Sequence, residues 1–149
     1  MVLAAFSSKG KASIAFTYHK MDSAQYIGVM EKHLKPFWNA IRQPGLIFMQ
    51  DNASIHKSKE TQQWFQAQKI PLLEWPACSP DQNPIENCWG LLVREVYKDN
   101  RQFQTEADLK AAITEAWTII SVNTLEKLVE SIPLRVFELI QNGGGSTHY

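Results

Sequence analysis

The sequence has few cysteines, no long apolar run and no excess of either charge. Its two cysteines, Cys78 and Cys88, have no partners at zinc-ligand spacing and form no disulfide framework. Fifteen Lys and Arg residues balance 15 Asp and Glu residues, which excludes the global positive field that draws a protein onto nucleic acid without specificity. No stretch approaches the ~18 apolar residues of a membrane span, so we expect no membrane partner.

The composition is that of an ordinary folded domain. Hydrophobic residues make up 44% of the 149 residues and aromatic residues 11%, and no Gln-, Ser- or Pro-rich tract interrupts them. A chain of this length buries roughly 68–70% of its unfolded surface. We therefore predict one domain over residues 1–149, with no separate DNA-binding helix-turn-helix domain.

The first part of the chain predicts a hairpin followed by a helix. Apolar, β-branched or aromatic runs at residues 2–6 and 13–18 flank a Ser-Ser-Lys-Gly turn, as in a β-hairpin. Asp22 followed by Gln25 forms a capping-box pattern, which predicts a helix from about residue 23 to 41.

The next segment predicts a parallel pair of strands. Residues 46–49 form a continuous apolar run, typical of a strand buried on both faces. A helix near residues 59–68 and a short strand at residues 70–73 follow. Strand, helix and strand in this order predict a parallel pair with a crossover helix.

The C-terminal half is predicted to be helical. Asn83 as cap and Pro84 at the first position begin one helix, and its predicted buried stripe comprises Ile85, Cys88, Trp89, Leu92, Val93 and Val96. Further helices are predicted from Thr105 to about Ile120, from Asn123 to about Ser131, and from Pro133 to Asn142. The predicted class is α/β with a helical C-terminal half.

Two carboxylates lie where ligands are often bound, although each also has a purely structural explanation. Asp51 directly follows the strand at residues 46–49, at the edge where open α/β sheets bind ligands, but an Asx turn alone would explain it. Glu86 is the third helical residue after Asn83, the acidic position of a capping box. On the helical wheel it lies at the margin of the buried stripe, and Gly90 leaves that flank open.

Two sequence blocks resemble a known family. Met49 to Ala53 with His56, and the block Trp-Pro-Ala-Cys-Ser-Pro-Asp-Gln-Asn-Pro-Ile-Glu-Asn-Cys-Trp-Gly from Trp75 to Gly90, are similar to the signature blocks of the mariner superfamily of DDE transposases. Thirty-four residues separate Asp51 from Glu86, the spacing typical of the branch whose third carboxylate is Glu. The resemblance extends over essentially the whole chain.

The resemblance implies an RNase H-like fold, with a mixed sheet flanked by helices. It also implies cut-and-paste transposition in the nucleus, acting on transposon ends and target DNA. Three carboxylates would hold two Mg²⁺ or Mn²⁺ ions, with Asp51 as the second and Glu86 as the third.

The first carboxylate is expected on a strand upstream of Met1, because Asp22 and Glu31 do not match the pattern. The resemblance implies the strand order three, two, one, four, five, in which strand one is central. We therefore expect this chain to lack that strand, to be inactive alone, and to dimerise or aggregate.

Further residues of the blocks are candidates for orienting the ligands or contacting DNA: Asn52, His56, Asn83 and Asn87. A surface or capping role is the favoured interpretation of His56, and Trp89 is interpreted as core. The basic residues that could contact phosphates are Lys57, Lys59, Lys69, Arg94, Lys98 and Arg101, although such lysines and arginines usually just face solvent. Two alternatives remain: an active subunit that borrows a carboxylate from another chain, and a non-enzymatic module that binds DNA or protein.

Overall fold

The chain folds into two compact units, Met1–Ala4 with Ala15–Cys78 and Ala5–Ile14 with Ser79–Tyr149. The computed structural model describes residues 1–17, 20–76, 79–145 and 147–149. Within these ranges, no helix combines the length and apolar character needed to cross a membrane.

The predicted N-terminal hairpin is present as two short antiparallel ladders. In the first unit, β1 (Val2–Leu3) pairs with β4 (Ala15–Phe16). In the second unit, β2 (Phe6–Ser7) pairs with β3 (Gly10–Lys11). Gly10 follows the two-residue turn with a φ of 140°, a conformation that residues with a side chain rarely adopt. The predicted end of the second strand, Tyr18, lies outside the described residues.

A continuous helical segment follows in the first unit. It consists of α1 (Ser23–Val29), a π-helical turn (Met30–Leu34) and α2 (Lys35–Ile41). The predicted capping box is confirmed, because the Gln25 N–H donates to Asp22 Oδ1 at 2.8 Å and the Asp22 N–H donates to Gln25 Oε1 at 3.1 Å. Pro36 lacks an N–H and its ring crowds the preceding turn, which explains the wider π turn before it. The buried face comprises Tyr26, Met30, Leu34 and Trp38.

The predicted parallel pair is confirmed only as one bridge, between Phe48 and Leu72. The Phe48 N–H donates to the Pro71 carbonyl at 2.8 Å, and the Leu73 N–H donates to the Phe48 carbonyl at 2.9 Å. The crossover helix is α4 (Lys59–Ala67), preceded by a short helix α3 (Ser54–Lys57) that the sequence pattern did not predict.

The prediction that residues 46–49 form a strand buried on both faces is wrong. Ile47 is 51% exposed, and Phe48 packs on one side, against Phe65 at a ring-centroid distance of 5.5 Å. Pro71 has no N–H to extend the ladder. A strand paired on one side with a proline in its partner therefore shortens to a single bridge.

The second unit is helical, as predicted. Its helices are α5 (Pro84–Val96), α6 (Glu106–Ile119), α7 (Val122–Glu130) and α8 (Ile132–Gln141), with 3₁₀ turns at Pro80–Gln82 and Lys98–Asn100. Side chains cap three of the helix starts: Asn83 accepts from the Ile85 N–H, Thr105 from the Asp108 N–H and Ser121 from the Thr124 N–H. Each of these helices begins within a residue or two of its predicted start.

The core of the second unit is built on α5, where Cys88, Leu92 and Val96 are buried. The prediction that Val93 belongs to the buried stripe is wrong, because it is 52% exposed. It follows Leu92 by one residue and therefore lies about 100° further round the helix. Trp89 packs against Trp117 with ring centroids 6.1 Å apart, as expected for a core residue.

Candidate functional site

Asp51 lies three residues after the Phe48 bridge, at the start of an irregular turn in the first unit. Its Oδ1 accepts a hydrogen bond from the Ala53 N–H at 3.0 Å, so the expected Asx turn is present. The same oxygen is 2.6 Å from His56 Nδ1. The side chain is nonetheless 62% exposed, and no described residue donates to Oδ2. One carboxylate oxygen is therefore fixed and the other faces outward.

His56 is a partner of Asp51, so the interpretation of this residue as a surface or capping group is wrong. Its side chain is only 13% exposed. His56 Nδ1 approaches Oδ1 and also the carbonyl oxygen of Asp51, at 3.3 Å. Both oxygens only accept hydrogen bonds when the carboxylate is charged. Nδ1 must therefore carry the hydrogen and donate hydrogen bonds to Asp51.

Tyr26 of α1 packs its ring against the imidazole of His56. The two rings lie 4.5 Å apart, and the Tyr26 hydroxyl donates to Gln50 Oε1 at 2.7 Å. Burial, followed by the negative charge of Asp51, raises the pKa of Tyr26 well above its ordinary value. The phenol therefore stays protonated and keeps donating to the residue next to Asp51.

Asn52 is fixed in the same turn. Its Nδ2 donates to the Trp75 carbonyl at 2.6 Å, which ties the turn after the bridge to the segment that begins the second signature block. This is a backbone contact, so Asn52 positions the turn around Asp51. Asn52 was a predicted candidate, but neither its contact with Trp75 nor the Tyr26 contact could be located by sequence spacing, because both join segments distant along the chain.

Glu86 lies in the first turn of α5 in the second unit. Asn83 Oδ1 accepts from the Ile85 N–H at 3.2 Å, so Asn83 is the helix cap, as predicted. Glu86 is exposed, and within the described ranges its carboxylate makes no hydrogen bond back to Asn83; the expected capping box is absent. A Cβ added to Gly90 would meet nothing within 4 Å, so the flank beside Glu86 is open, as predicted.

Asn87, the residue after Glu86, contacts Arg135 of α8. Arg135 Nη2 donates to Asn87 Oδ1 at 2.7 Å, and Arg135 is 1% exposed. This contact uses the Asn87 oxygen within the protein. Arg135 could not be identified from sequence patterns, because a single arginine on an amphipathic helix carries no motif.

A family model described as DDE superfamily endonuclease matches residues 1–110. The chain belongs to this family. It is 44% identical over 149 residues to the transposable element Tc3 transposase of Caenorhabditis elegans, an alignment covering 100% of this chain and 45% of that protein. It is 33% identical over 150 residues to the Tc1 transposase of the same organism, covering 100% of this chain and 54% of that protein. The chain thus spans about half the length of the curated relatives it matches.

Solved structures agree on the fold. The catalytic domain of Mos1 transposase, in a structure with raltegravir and Mn, superposes with a TM-score of 0.83 at 16% identity, covering 99% of this chain and 76% of that chain. A second structure, of the catalytic domain of Mos1 mariner transposase, gives 0.81 at 16% identity, covering 99% and 75%. The chain therefore has the RNase H-like fold of a Tc1/mariner DDE transposase catalytic domain, which confirms the resemblance seen in the two signature blocks.

Three of the six basic residues that are predicted to contact phosphates make contacts within this DDE-family chain. All six predicted phosphate-contacting residues are exposed. Arg94 Nε donates to the Gly90 carbonyl at 3.3 Å, and Lys98 Nζ lies 3.9 Å from Glu95. Arg101 lies over the Phe103 ring at 5.6 Å. Their phosphate-binding role stays a prediction.

Asp51 and Glu86 belong to different units of the chain. Among the described residues, no group of three or more His, Cys, Asp and Glu side chains is arranged to hold a metal ion. The two signature carboxylates are oxygen donors of the type that Mg²⁺ and Mn²⁺ prefer. Their assignment as a pair therefore rests on the family motif and on the environment of each.

Proposed function

We propose that this chain supplies two carboxylates, Asp51 and Glu86, to the metal site of a transposase that cleaves DNA and transfers strands. By this proposal its substrates are transposon ends and target DNA, it works in the nucleus, and Mg²⁺ or Mn²⁺ is its cofactor. Membership of the DDE family supports the reaction class. The positions of Asp51 and Glu86 in the two blocks support the assignment.

The observation that carries the proposal is the environment of Asp51. Its Oδ1 is held by the Ala53 N–H and by His56, while Oδ2 has no donor among the described residues. Because hydrogen bonds hold one carboxylate oxygen while the other is exposed, the Asp51 side chain is already oriented for binding in the absence of a ligand. Such tethering is how supporting residues orient metal ligands.

Glu86 fits the same role from a rigid element. It lies in the first turn of a 13-residue helix whose opposite face is buried, and its own side chain is exposed. Bound divalent ions would activate the attacking oxygen and stabilise the leaving oxygen in an in-line displacement. Asp51 and Glu86 would bind and orient those ions.

Calorimetric titration with Mn²⁺ tests the proposal. A polypeptide of these 149 residues should bind weakly, on the order of millimolar, because two carboxylates leave most of the coordination to water. Asp51→Asn and Glu86→Gln should each largely remove the binding. Asp99→Asn and Glu126→Gln are matched controls, since they make the same chemical changes elsewhere and should leave binding intact.

Unchanged binding in both Asp51→Asn and Glu86→Gln would reject the assignment of these residues as metal ligands.

Incubation of the purified chain with labelled DNA distinguishes the two alternative roles, an active subunit completed by another chain and a non-enzymatic module. Metal-dependent cleavage by the purified chain would indicate that another copy completes the site, whereas a folded and inert chain that binds DNA or protein but binds no Mn²⁺ through Asp51 and Glu86 would indicate a non-enzymatic module. We expect no cleavage, because two carboxylates do not complete a paired-metal site.

A homodimer is part of the proposal. Exposed apolar side chains of α8 support it: Leu134, Val136, Phe137 and Ile140 are 46–71% exposed. Contiguous apolar surface of this kind often marks an interaction site. Light scattering after size-exclusion chromatography should give the dimer mass.

A further inference from the structure

Arg135 is a buried, positively charged residue of α8. Its guanidinium makes hydrogen bonds through all three nitrogens. Nε donates to Ser131 Oγ at 2.8 Å, Nη1 to the Asp81 carbonyl at 2.7 Å and Nη2 to Asn87 Oδ1 at 2.7 Å. Burying a guanidinium costs free energy unless such bonds replace its water, so the arrangement constrains every group that it contacts.

The two Nη contacts lie on either side of the turn that begins α5. Asp81 belongs to the 3₁₀ turn before the helix, and Asn87 belongs to the helix itself. Between them lie the cap Asn83 and the carboxylate of Glu86. Because the guanidinium is planar and rigid, it fixes the separation of these two points and therefore the direction in which the first turn of α5 leaves the loop.

Tyr149 packs against the same arginine, and Thr147 contacts its partner Asp81. The Tyr149 ring lies 4.4 Å from the Arg135 guanidinium carbon. The backbone N–H and the hydroxyl of Thr147 donate to Asp81 Oδ2 at 3.0 and 2.9 Å. Asp81 is thus held from two directions, through its carbonyl by Arg135 and through its carboxylate by Thr147.

We propose that Arg135 is a positioning residue for Glu86, holding the Asp81–Asn87 turn so that the carboxylate keeps the direction that metal binding requires. This inference rests on the proposed function, because it takes Glu86 to be a metal ligand. In this positioning role, Arg135 itself contacts neither the metal nor DNA.

The test compares variants that cut different bonds of the same guanidinium. Arg135→Lys keeps the positive charge but loses the planar guanidinium whose two Nη atoms contact Asp81 and Asn87 at once. Asn87→Ala removes only the acceptor that lies on α5. Ser131→Ala is the matched control, because it removes a bond that does not reach the turn. Leu125→Ala, at a fully buried core position, controls for loss of stability alone.

Two readouts are needed: the Mn²⁺ dissociation constant, from the free-ion electron paramagnetic resonance signal, and hydrogen exchange of the first-turn amides of α5. Arg135→Lys and Asn87→Ala should each weaken Mn²⁺ binding about tenfold, as for other residues that orient metal ligands, and should speed exchange of those amides. Ser131→Ala and Leu125→Ala should change Mn²⁺ binding less than about twofold, well below that range.

The outcomes separate the two claims. If Glu86→Gln removes Mn²⁺ binding while Arg135→Lys and Asn87→Ala match Ser131→Ala, the positioning role is wrong and the proposed function stands. If Leu125→Ala weakens binding as much as Arg135→Lys does, the effect is one of general stability and the positioning role is again wrong. If Glu86→Gln binds Mn²⁺ as the parent chain does, both claims are wrong.

Discussion

At the scale of single residues, the carboxylate of Asp51 owes its direction to a histidine five positions later. The turn at Ala53 and the short helix α3 bring His56 back toward Asp51, and the Tyr26 ring packs against the imidazole. Because Nδ1 must donate to the carboxylate, the tautomer of His56 is set by its partner. Among the residues that the structure describes, removing the imidazole would leave the Ala53 N–H as the only donor to Oδ1.

We predict that His56→Ala weakens Mn²⁺ binding by about tenfold, because a tether of the ligand carboxylate is lost. His56→Asn should retain part of the affinity, since its side-chain amide can donate from nearly the same position as Nδ1. The measurement is the dissociation constant from the Mn²⁺ resonance signal. Affinity in His56→Ala equal to that of the parent chain would show that the imidazole does not orient Asp51.

At the scale of elements, a lysine from the β2–β3 ladder caps the C-terminus of α6. Lys11 Nζ donates to the carbonyls of Trp117, Thr118 and Ile120, which have no partners within the helix. The Trp117 indole donates in return to the Ala12 carbonyl at 2.9 Å. Burial lowers the pKa of Lys11, opposed by the charge of Cys88. The ladder and the helix end are therefore fixed by reciprocal hydrogen bonds.

We predict that Lys11→Met lowers the free energy of unfolding by about 1 kcal/mol, because a cation at a helix C-terminus usually contributes stabilisation of about this size. Lys32→Met, an exposed lysine outside any such contact, is the control and should change it far less. Urea denaturation measures both. Equal stability of the two variants would mean that the cap contributes nothing.

The contact between Asp81 and the C-terminal residues predicts a dependence on pH. Burial raises the pKa of Asp81, but hydrogen bonds from Thr147 and Gln82 outweigh it, so the pKa lies below the ordinary value of 3.8. A carboxyl whose pKa is depressed by folding stabilises the fold above its unfolded pKa, and this contribution is lost as pH falls through the folded pKa. Stability should therefore decline below about pH 3.8, and less steeply in Asp81→Asn. Parallel acid unfolding curves would contradict this.

Helix positions could be predicted from the sequence because their signals are local. Asp22, Asn83, Thr105 and Ser121 each satisfy backbone N–H groups within three residues, so a cap can be identified without knowing the fold. The extent of the parallel pair could not, because Phe48 needs a partner across the crossover and Pro71 cannot extend the ladder. Arg135 and the Tyr26–His56 contact were missed for the same reason, since each joins segments far apart along the chain.

At the scale of the whole molecule, the proposed function requires Asp51 and Glu86 to bind the same ions. The family motif and the environment of each residue support the pairing. Parallel strands end at the same edge of a sheet, where such folds bind their ligands. The position of Asp51 just after the Phe48 bridge therefore fits that of a ligand-binding residue.

A crystal of the chain grown with Mn²⁺ tests this pairing most directly, through its anomalous difference map. We expect an anomalous peak coordinated by oxygens of both Asp51 and Glu86, with His56 Nδ1 still hydrogen-bonded to Asp51 Oδ1. Carboxylates more than ~10 Å apart, beyond the reach of any paired-metal site, or a Mn²⁺ ion bound away from both, would show that Asp51 and Glu86 do not form one metal site.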